Sequence, residues 1–294
     1  MISRLTFGFR RAESLPAQVR PRLISLAPIR ISGLSCRHMK SDGAKQLVAN
    51  VEQTTGYKVV IDTVEDIGED AQMITARPEL PVHTIRISKA KLRHADYIVA
   101  NQCAMLLRLW AESARIPVFS PIAGKVSYFA DRTANSKPLS QQPAKVAQQT
   151  ATRFAQGMLH QVRSMPLEIL TVRDCRELCP DLYDMQAESV ESQLRLLSDI
   201  LAPKIRSIAP DQIWRNNVSM NAAFALNWSE LSGSSLAMLP YESVGFAQIA
   251  AKLLGEVNSK SAKTTDAYTE LVDSWAEQVG LRRLYKWEYR NGKQ

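Results

Sequence analysis

The sequence predicts an α+β protein that is mostly α-helical. Three short segments with β-branched or alternating apolar residues lie between residues 57 and 88, whereas most of the remaining chain has apolar residues at helical spacing. Hydrophobic residues make up 45% and charged residues 22% of the 294 residues, which excludes a disordered chain. No stretch approaches the roughly 20 apolar residues of a membrane-spanning helix.

The first half of the chain predicts one helix, a small sheet and a second helix. The first helix begins at Asp42, where the carboxylate can cap it, and ends at Gly56. Breaker prolines separate the strand candidates. The predicted elements that follow are strands at Tyr57–Val64, Gln72–Ala76 and His83–Ser88 and a buried helix from Lys89 to about Ala114.

The second half is helical in pattern after a polar, proline-containing linker at Ser136–Pro143. A C-terminal strand near Leu281–Arg290 would direct Leu284 and Trp287 inward. The predicted helices are Ala144–Arg163, Met185–Leu201, Asp211–Leu231, Tyr241–Leu254 and Thr265–Val279. The predicted units are a basic leader at 1–38, a domain at 39–135 plus 144–165, and a helical domain at 166–294.

The net charge of +8 is concentrated in the leader. Residues 1–40 hold eight bases and one acid, so the remaining chain carries a net charge of only +1. The leader is a transit peptide, a disordered basic arm, or upstream sequence before a natural start at Met39. We expect it to pack little against the body. A transit peptide implies a mitochondrial location, and a natural start at Met39 implies a cytoplasmic location.

Two helical segments share a spacing with metallopeptidases. The buried helix contains Asn101-Gln102-Cys103-Ala104-Met105, in the frame where a zincin carries His-Glu-x-x-His. Downstream, the segment from Gln148 to Ala155 is similar to a Glu-x-x-Ala-x-x-Phe-Ala segment that supplies a third ligand. In order and spacing, residues 44–165 resemble the ImmA/IrrE-type metallopeptidase family. The alternative is an unrelated α-rich fold with a buried helix.

The resemblance implies a zincin-like domain without its metal site. Asn101, Met105 and Gln148 replace the ligands, and amides and thioethers are poor zinc donors. Gln102 replaces the catalytic glutamate and cannot accept a proton as a base. If the family geometry holds, the three replaced ligands converge beside the sheet. We therefore expect no zinc, no cofactor and no peptidase activity, and a regulatory role through binding a protein partner.

Two candidate binding sites follow from the pattern of apolar and amide residues. Ile85 and Ile87 alternate with polar residues, which predicts a strand beside which a partner segment could add. Asn217 and Asn221 lie on one helical face, where they form either a ligand pocket or amide bridges within the core. An enzyme with an unrecognised site in this helical half is one alternative function.

The C-terminal segment supports a second alternative function. Its bases alternate with aromatic residues, as in a nucleic-acid-binding accessory protein, but the nearly neutral body disfavours that function.

Cysteine and histidine spacing predicts no metal site. The four histidines have no ligand spacing, and no CxxC pair occurs. Cys103 fits a small buried hydrophobic residue better than a nucleophile. Cys175 and Cys179 form a CxxxC pair that is compatible with redox chemistry but is more simply two structural cysteines.

Overall fold

The computed structural model describes residues 39–65, 67, 70–77, 79–110, 115–260 and 264–291. Within them the chain is α+β and mostly α, as the sequence predicts. The predicted leader, residues 1–38, lies outside the described residues. No helix in the described part combines the length and apolar character needed to cross a membrane.

The N-terminal helix has clear start and stop signals. Helix α1 spans Asp42–Thr55, and the Ser41 hydroxyl caps it by accepting a hydrogen bond from the Ala44 N–H at 3.0 Å. Gly56 ends it with φ of 68°, a left-handed conformation that glycine adopts without a steric penalty. The predicted extent is therefore confirmed, with the cap one residue earlier than expected.

The three predicted strands form one mixed sheet. The strands are β1 (Lys58–Val64), β2 (Ala71–Ile74) and β3 (Val82–Ser88). Their order is β1-β3-β2, with β3 parallel to β1 and antiparallel to β2. Ile85 pairs with Ile61 on one side and with Met73 on the other, and all three side chains are buried.

The long helix predicted after β3 has two parts. Residues Lys89–His94 form a 3-10 helix, and α2 follows at Ala95–Leu109. Nearly all of α2 is buried. The Asp96 carboxylate accepts hydrogen bonds from the N–H groups of Lys40 and Ser41, each at 2.8 Å, and so joins the start of α2 to the start of α1.

Strand β4 (Arg115–Pro121) leads into helices α3 (Ala123–Ala134) and α4 (Ala144–Leu178). The sequence prediction omitted α3, although Val126, Phe129 and Ala130 of this helix face the core at helical spacing; few of its residues are fully buried. It also ended α4 at Arg163, whereas the helix continues through Pro166 for 15 more residues. Proline normally breaks a helix, but Pro166 lies in the most buried part of α4, where tertiary packing outweighs local preference.

The second half adds six helices and a strand. The predicted helix Tyr241–Leu254 is in fact two helices, and the other predicted helices agree to within a few residues. The elements are α5 (Tyr183–Ser198), α6 (Pro203–Ile208), α7 (Asp211–Ser232), α8 (Leu239–Glu242), α9 (Ala247–Lys260), α10 (Thr265–Gln278) and β5 (Tyr285–Asn291). β5 pairs antiparallel with β4, placing Trp287 opposite Phe119. Leu284 is buried and Trp287 half-buried, as predicted.

Helix α4 joins the two predicted units. It packs against α2 from the N-terminal half and against α7 and α10 from the C-terminal half. The apolar residues of both halves form one continuous core. The predicted boundary after residue 165 lies inside α4, so both units share this helix.

Candidate functional site

The replaced ligand positions do not converge. The Asn101 amide donates a hydrogen bond to the Thr171 hydroxyl at 3.0 Å, whereas the Gln148 amide donates to the Asp131 carboxylate at 2.7 Å. Thr171 and Gln148 are 23 residues apart on α4, about 35 Å at the rise of an α-helix. The predicted ligand cluster is therefore wrong, because Gln148 lies near the start of α4 whereas Asn101 contacts its C-terminal half.

The motif positions on α2 instead form a helix-packing surface. Gln102 and Met105 are buried, and one turn further on the Arg108 guanidinium makes a bidentate ion pair with the Asp174 carboxylate on α4. Polar pairs thus align α2 with the C-terminal half of α4. The described residues contain no group of three or more histidine, cysteine, aspartate or glutamate side chains arranged to hold a metal ion.

A partner strand cannot add beside β3. This strand is the central one of the sheet and is hydrogen-bonded on both edges. Ile85 and Ile87 are completely buried. The prediction that they form a binding surface is wrong, because the parallel strand β1 already pairs with the edge of β3 where a partner segment was expected to add.

Asn217 and Asn221, the two amide residues on one face of α7, lie within the core. The Gln161 amide of α4 donates to the Asn221 carbonyl at 2.6 Å, and the Asn221 amide donates to the Asn217 carbonyl at 2.9 Å. Asn221 also donates to the backbone carbonyl of Leu197. Both asparagines are therefore core bridges, which was one of the two alternatives open from sequence, and not the lining of a ligand pocket.

The described cysteines are buried, free thiols. They are Cys103, Cys175 and Cys179. Burial raises the pKa of Cys175 well above its usual range and that of Cys179 to about 11, so both are protonated at neutral pH. A protonated thiol is a poor nucleophile. Cys175 and Cys179 are therefore better interpreted as two structural cysteines than as a redox pair.

Cys179 packs against the backbone of α1, which gives a testable consequence. A Cβ at Gly43 would lie 2.9 Å from Cys179 Sγ and 3.0 Å from Cys179 Cα. We expect Gly43→Ala to lower the free energy of unfolding by about 1–3 kcal/mol. Gly255→Ala is the control, because open space surrounds that helical position and alanine should add about 0.5–1 kcal/mol. Urea unfolding measures both, and a Gly43→Ala variant as stable as the natural chain would contradict the packing.

A groove lies between α3 and α4. The hydrogen bond between Asp131 and Gln148 links the end of α3 to the start of α4, so the two helices are antiparallel. The groove has a volume of about 540 Å³. Its apolar lining consists of Phe119, Pro121, Ala123, Val126, Ala130 and Leu159, and its polar lining of Ser127, Thr152, Gln156, His160 and Arg163.

Arg163 of α4 lines this α3–α4 groove, and two further bases of α4 lie near the groove outside its lining. Lys145 and Arg163 lie on the same face of α4 as Gln156, at a spacing of 11 and 7 residues, and Arg153 borders that face. Lys145 and Arg153 are exposed. In the part of the chain that the structure describes, none of the three bases pairs with a carboxylate.

At the end of the groove, Arg163 and His160 differ in charge. The Arg163 guanidinium carbon lies 6.0 Å from the centre of the Phe119 ring, within cation–π range. Burial, assisted by Arg163, lowers the pKa of His160 to about 4, so this imidazole is neutral at pH 7. The groove therefore offers a guanidinium charge and a neutral hydrogen-bonding ring next to an apolar floor.

Sequence reasoning missed this groove, although one signal was available. The 36 residues between Asp131 and Glu168 contain five Lys or Arg residues and no acid. Averaging the charge over the whole body hides this segment, because the rest of the body is correspondingly acidic.

Neither a protein-family model nor a curated protein nor a solved structure matches the chain.

Proposed function

We propose that this protein binds an acidic, amphipathic segment of a partner protein in the α3–α4 groove and acts through that binding without catalysis. The observation that carries the proposal is the combination of an apolar floor with three unpaired bases on α4, from Lys145 to Arg163, with no acid between them. Leucine-sized side chains suit the floor, and carboxylates suit the bases of α4.

Nucleic acid fits the groove less well. Stacking of bases needs an accessible aromatic face. Phe119, the aromatic residue of the groove, is 9% exposed and stacks on Tyr285 with ring centres 4.0 Å apart. Three bases spread over 18 residues of helix also form a sparse phosphate-binding track.

The test uses a labelled helical peptide of leucine and glutamate, the same peptide with glutamine for glutamate, and an oligothymidylate. We expect fluorescence anisotropy to detect binding of the acidic peptide, and the double change Arg153→Gln/Arg163→Gln to weaken it about tenfold through the loss of two charge contacts. Added salt should weaken it as well.

Two further variants separate charge from shape. Lys125→Gln/Arg132→Gln removes the same charge from the side of α3 that does not line the groove, and it should leave the affinity unchanged. Ser127→Trp fills the groove from an exposed position and should abolish binding. Equal binding of the neutral peptide would contradict the proposal, and preferential binding of the oligothymidylate would favour the nucleic-acid alternative.

A further inference from the structure

A second groove lies on the opposite half of the molecule, between the end of α5 and the connection from α7 to α9. It has a volume of about 270 Å³, and its apolar lining is Leu194, Trp228, Leu236, Ala237 and Pro240. Glu191 and Arg195 of α5 also line it. None of these residues belongs to the α3–α4 groove.

The connection beside this α5–α8 groove is unusually apolar on its outside. Leu236 is 74% exposed, Leu239 49% and Val244 44%. They are three of the nine large hydrophobic residues that are exposed in the described part of the chain, and they lie within nine residues of sequence. Below them Met238, Tyr241 and Phe246 are buried and hold the connection against the core. A clustered apolar surface of this kind marks an interaction site.

The charges of the groove are self-complementary. Glu191 and Arg195 are one helical turn apart and both exposed, and within the described residues neither forms an ion pair. A two-fold axis through the groove would place Glu191 of each copy opposite Arg195 of the other copy, which gives two ion pairs. The same rotation would set the protruding Leu236 of each copy against the apolar lining of its neighbour. Two-fold interfaces require this kind of patch, which is complementary to itself.

We infer that the chain forms a two-fold homodimer through the α5–α8 groove, with Leu236 as the apolar anchor and reciprocal Glu191–Arg195 pairs beside it. The occupant of this groove is a second copy of the same chain. The inference is independent of the α3–α4 groove, which stays open to a partner in either the monomer or the dimer.

The test is sedimentation velocity on the full chain over a range of concentrations. We expect reversible dimers. Leu236→Glu should raise the dimer dissociation constant at least about thirtyfold, because each interface loses two buried leucines. Leu178→Glu is the matched control, since Leu178 is 53% exposed at the end of α4 and should not change association.

Charge-reversal variants in the same sedimentation experiment provide the decisive test. Glu191→Arg and Arg195→Glu should each raise the dissociation constant about tenfold, because each places like charges opposite one another. An equimolar mixture of the two variants should associate again as a heterodimer. Both residues are exposed, so thermal unfolding should match that of the natural chain once all three chains are diluted enough to be monomeric. A natural chain that stays monomeric, or a mixture that stays as weak as its components, would overturn the inference.

Discussion

A variant with the complete zincin set, Asn101→His, Gln102→Glu, Met105→His and Gln148→Glu, is expected to unfold more easily than the natural chain by at least about 3 kcal/mol and to bind no zinc. Asn101, which is hydrogen-bonded to α4, is 1% exposed, and Gln102 is 5% exposed. The larger imidazole has to be accommodated where the Asn101 amide now packs and donates to Thr171, and a carboxylate at position 102 would be almost completely buried.

The fourth change fails for a different reason. Gln148 donates a hydrogen bond to Asp131, so a glutamate there replaces attraction with repulsion between two carboxylates. It also lies about 35 Å along α4 from the residue that contacts Asn101, too far for a shared metal ion. Urea unfolding measures the stability of the variant, and elemental analysis after dialysis measures its zinc content.

The control places the same histidine spacing on an exposed surface. Gln248 and Lys252 are exposed and four residues apart on α9, so Gln248→His/Lys252→His should change the free energy of unfolding by less than about 0.5 kcal/mol. One tightly held zinc ion per chain in the four-residue variant, with stability preserved, would show that the ligand positions do converge and would restore the metallopeptidase resemblance.

Local chemistry explains the elements that sequence predicts well. Gly56 ends α1 because only a residue without a side chain enters the left-handed region freely, and the β-branched run at residues 59–63 forms β1. These signals act within a few residues of sequence. The C-terminal strand was also suggested by the sequence, but Leu284, which was expected to point inward from it, precedes the strand in a 3-10 turn.

Errors arose where tertiary packing overrides a local signal. The predicted helix ended at Arg163, three residues before Pro166, but α4 continues through this proline where the helix is most buried. The expected convergence of Gln148 with Asn101 came from the spacing of the resemblance, but Asn101 contacts Thr171, 23 residues beyond Gln148 on the same helix. The topology of the sheet was equally hidden: nothing in the alternation of Ile85 and Ile87 shows that strands flank β3 on both sides.

His83 alone is expected to cost the natural chain about 3 kcal/mol of stability as the pH falls from about 6.5 to about 4, and His160, whose pKa is also lowered to about 4, adds to the loss in the same interval. The His83 imidazole is completely buried, and burial lowers its pKa to about 4. The unfolded chain takes up the proton near pH 6.5, so acid favours unfolding throughout this interval. Above it the ring is neutral in both states and the stability does not depend on His83.

The surroundings of His83 explain why the folded state holds it neutral. Its Nδ1 accepts a hydrogen bond from the Ala76 N–H at 3.1 Å, which places the proton on Nε2, 3.1 Å from the Thr55 hydroxyl oxygen. The rings of Tyr57 and Trp110 meet it edge-on, with centres 5.7 and 5.1 Å away. A second proton on the ring would displace the Ala76 bond and leave a charge without a carboxylate partner in an apolar cage.

The variant His83→Phe separates this titration from other acid effects. It should be less stable than the natural chain at pH 7 by about 1–3 kcal/mol, since Ala76 and Thr55 lose a bonding partner. Its stability should nevertheless fall less steeply between pH 6.5 and 4. Thr55→Val is the control, because it removes the hydrogen bonds of the Thr55 hydroxyl to Val51, Tyr57 and His83 but keeps the buried imidazole. It should therefore lower the stability at every pH and keep the full slope. Urea unfolding across this interval gives the slopes, and parallel curves for His83→Phe and the natural chain would mean that another group senses the acid.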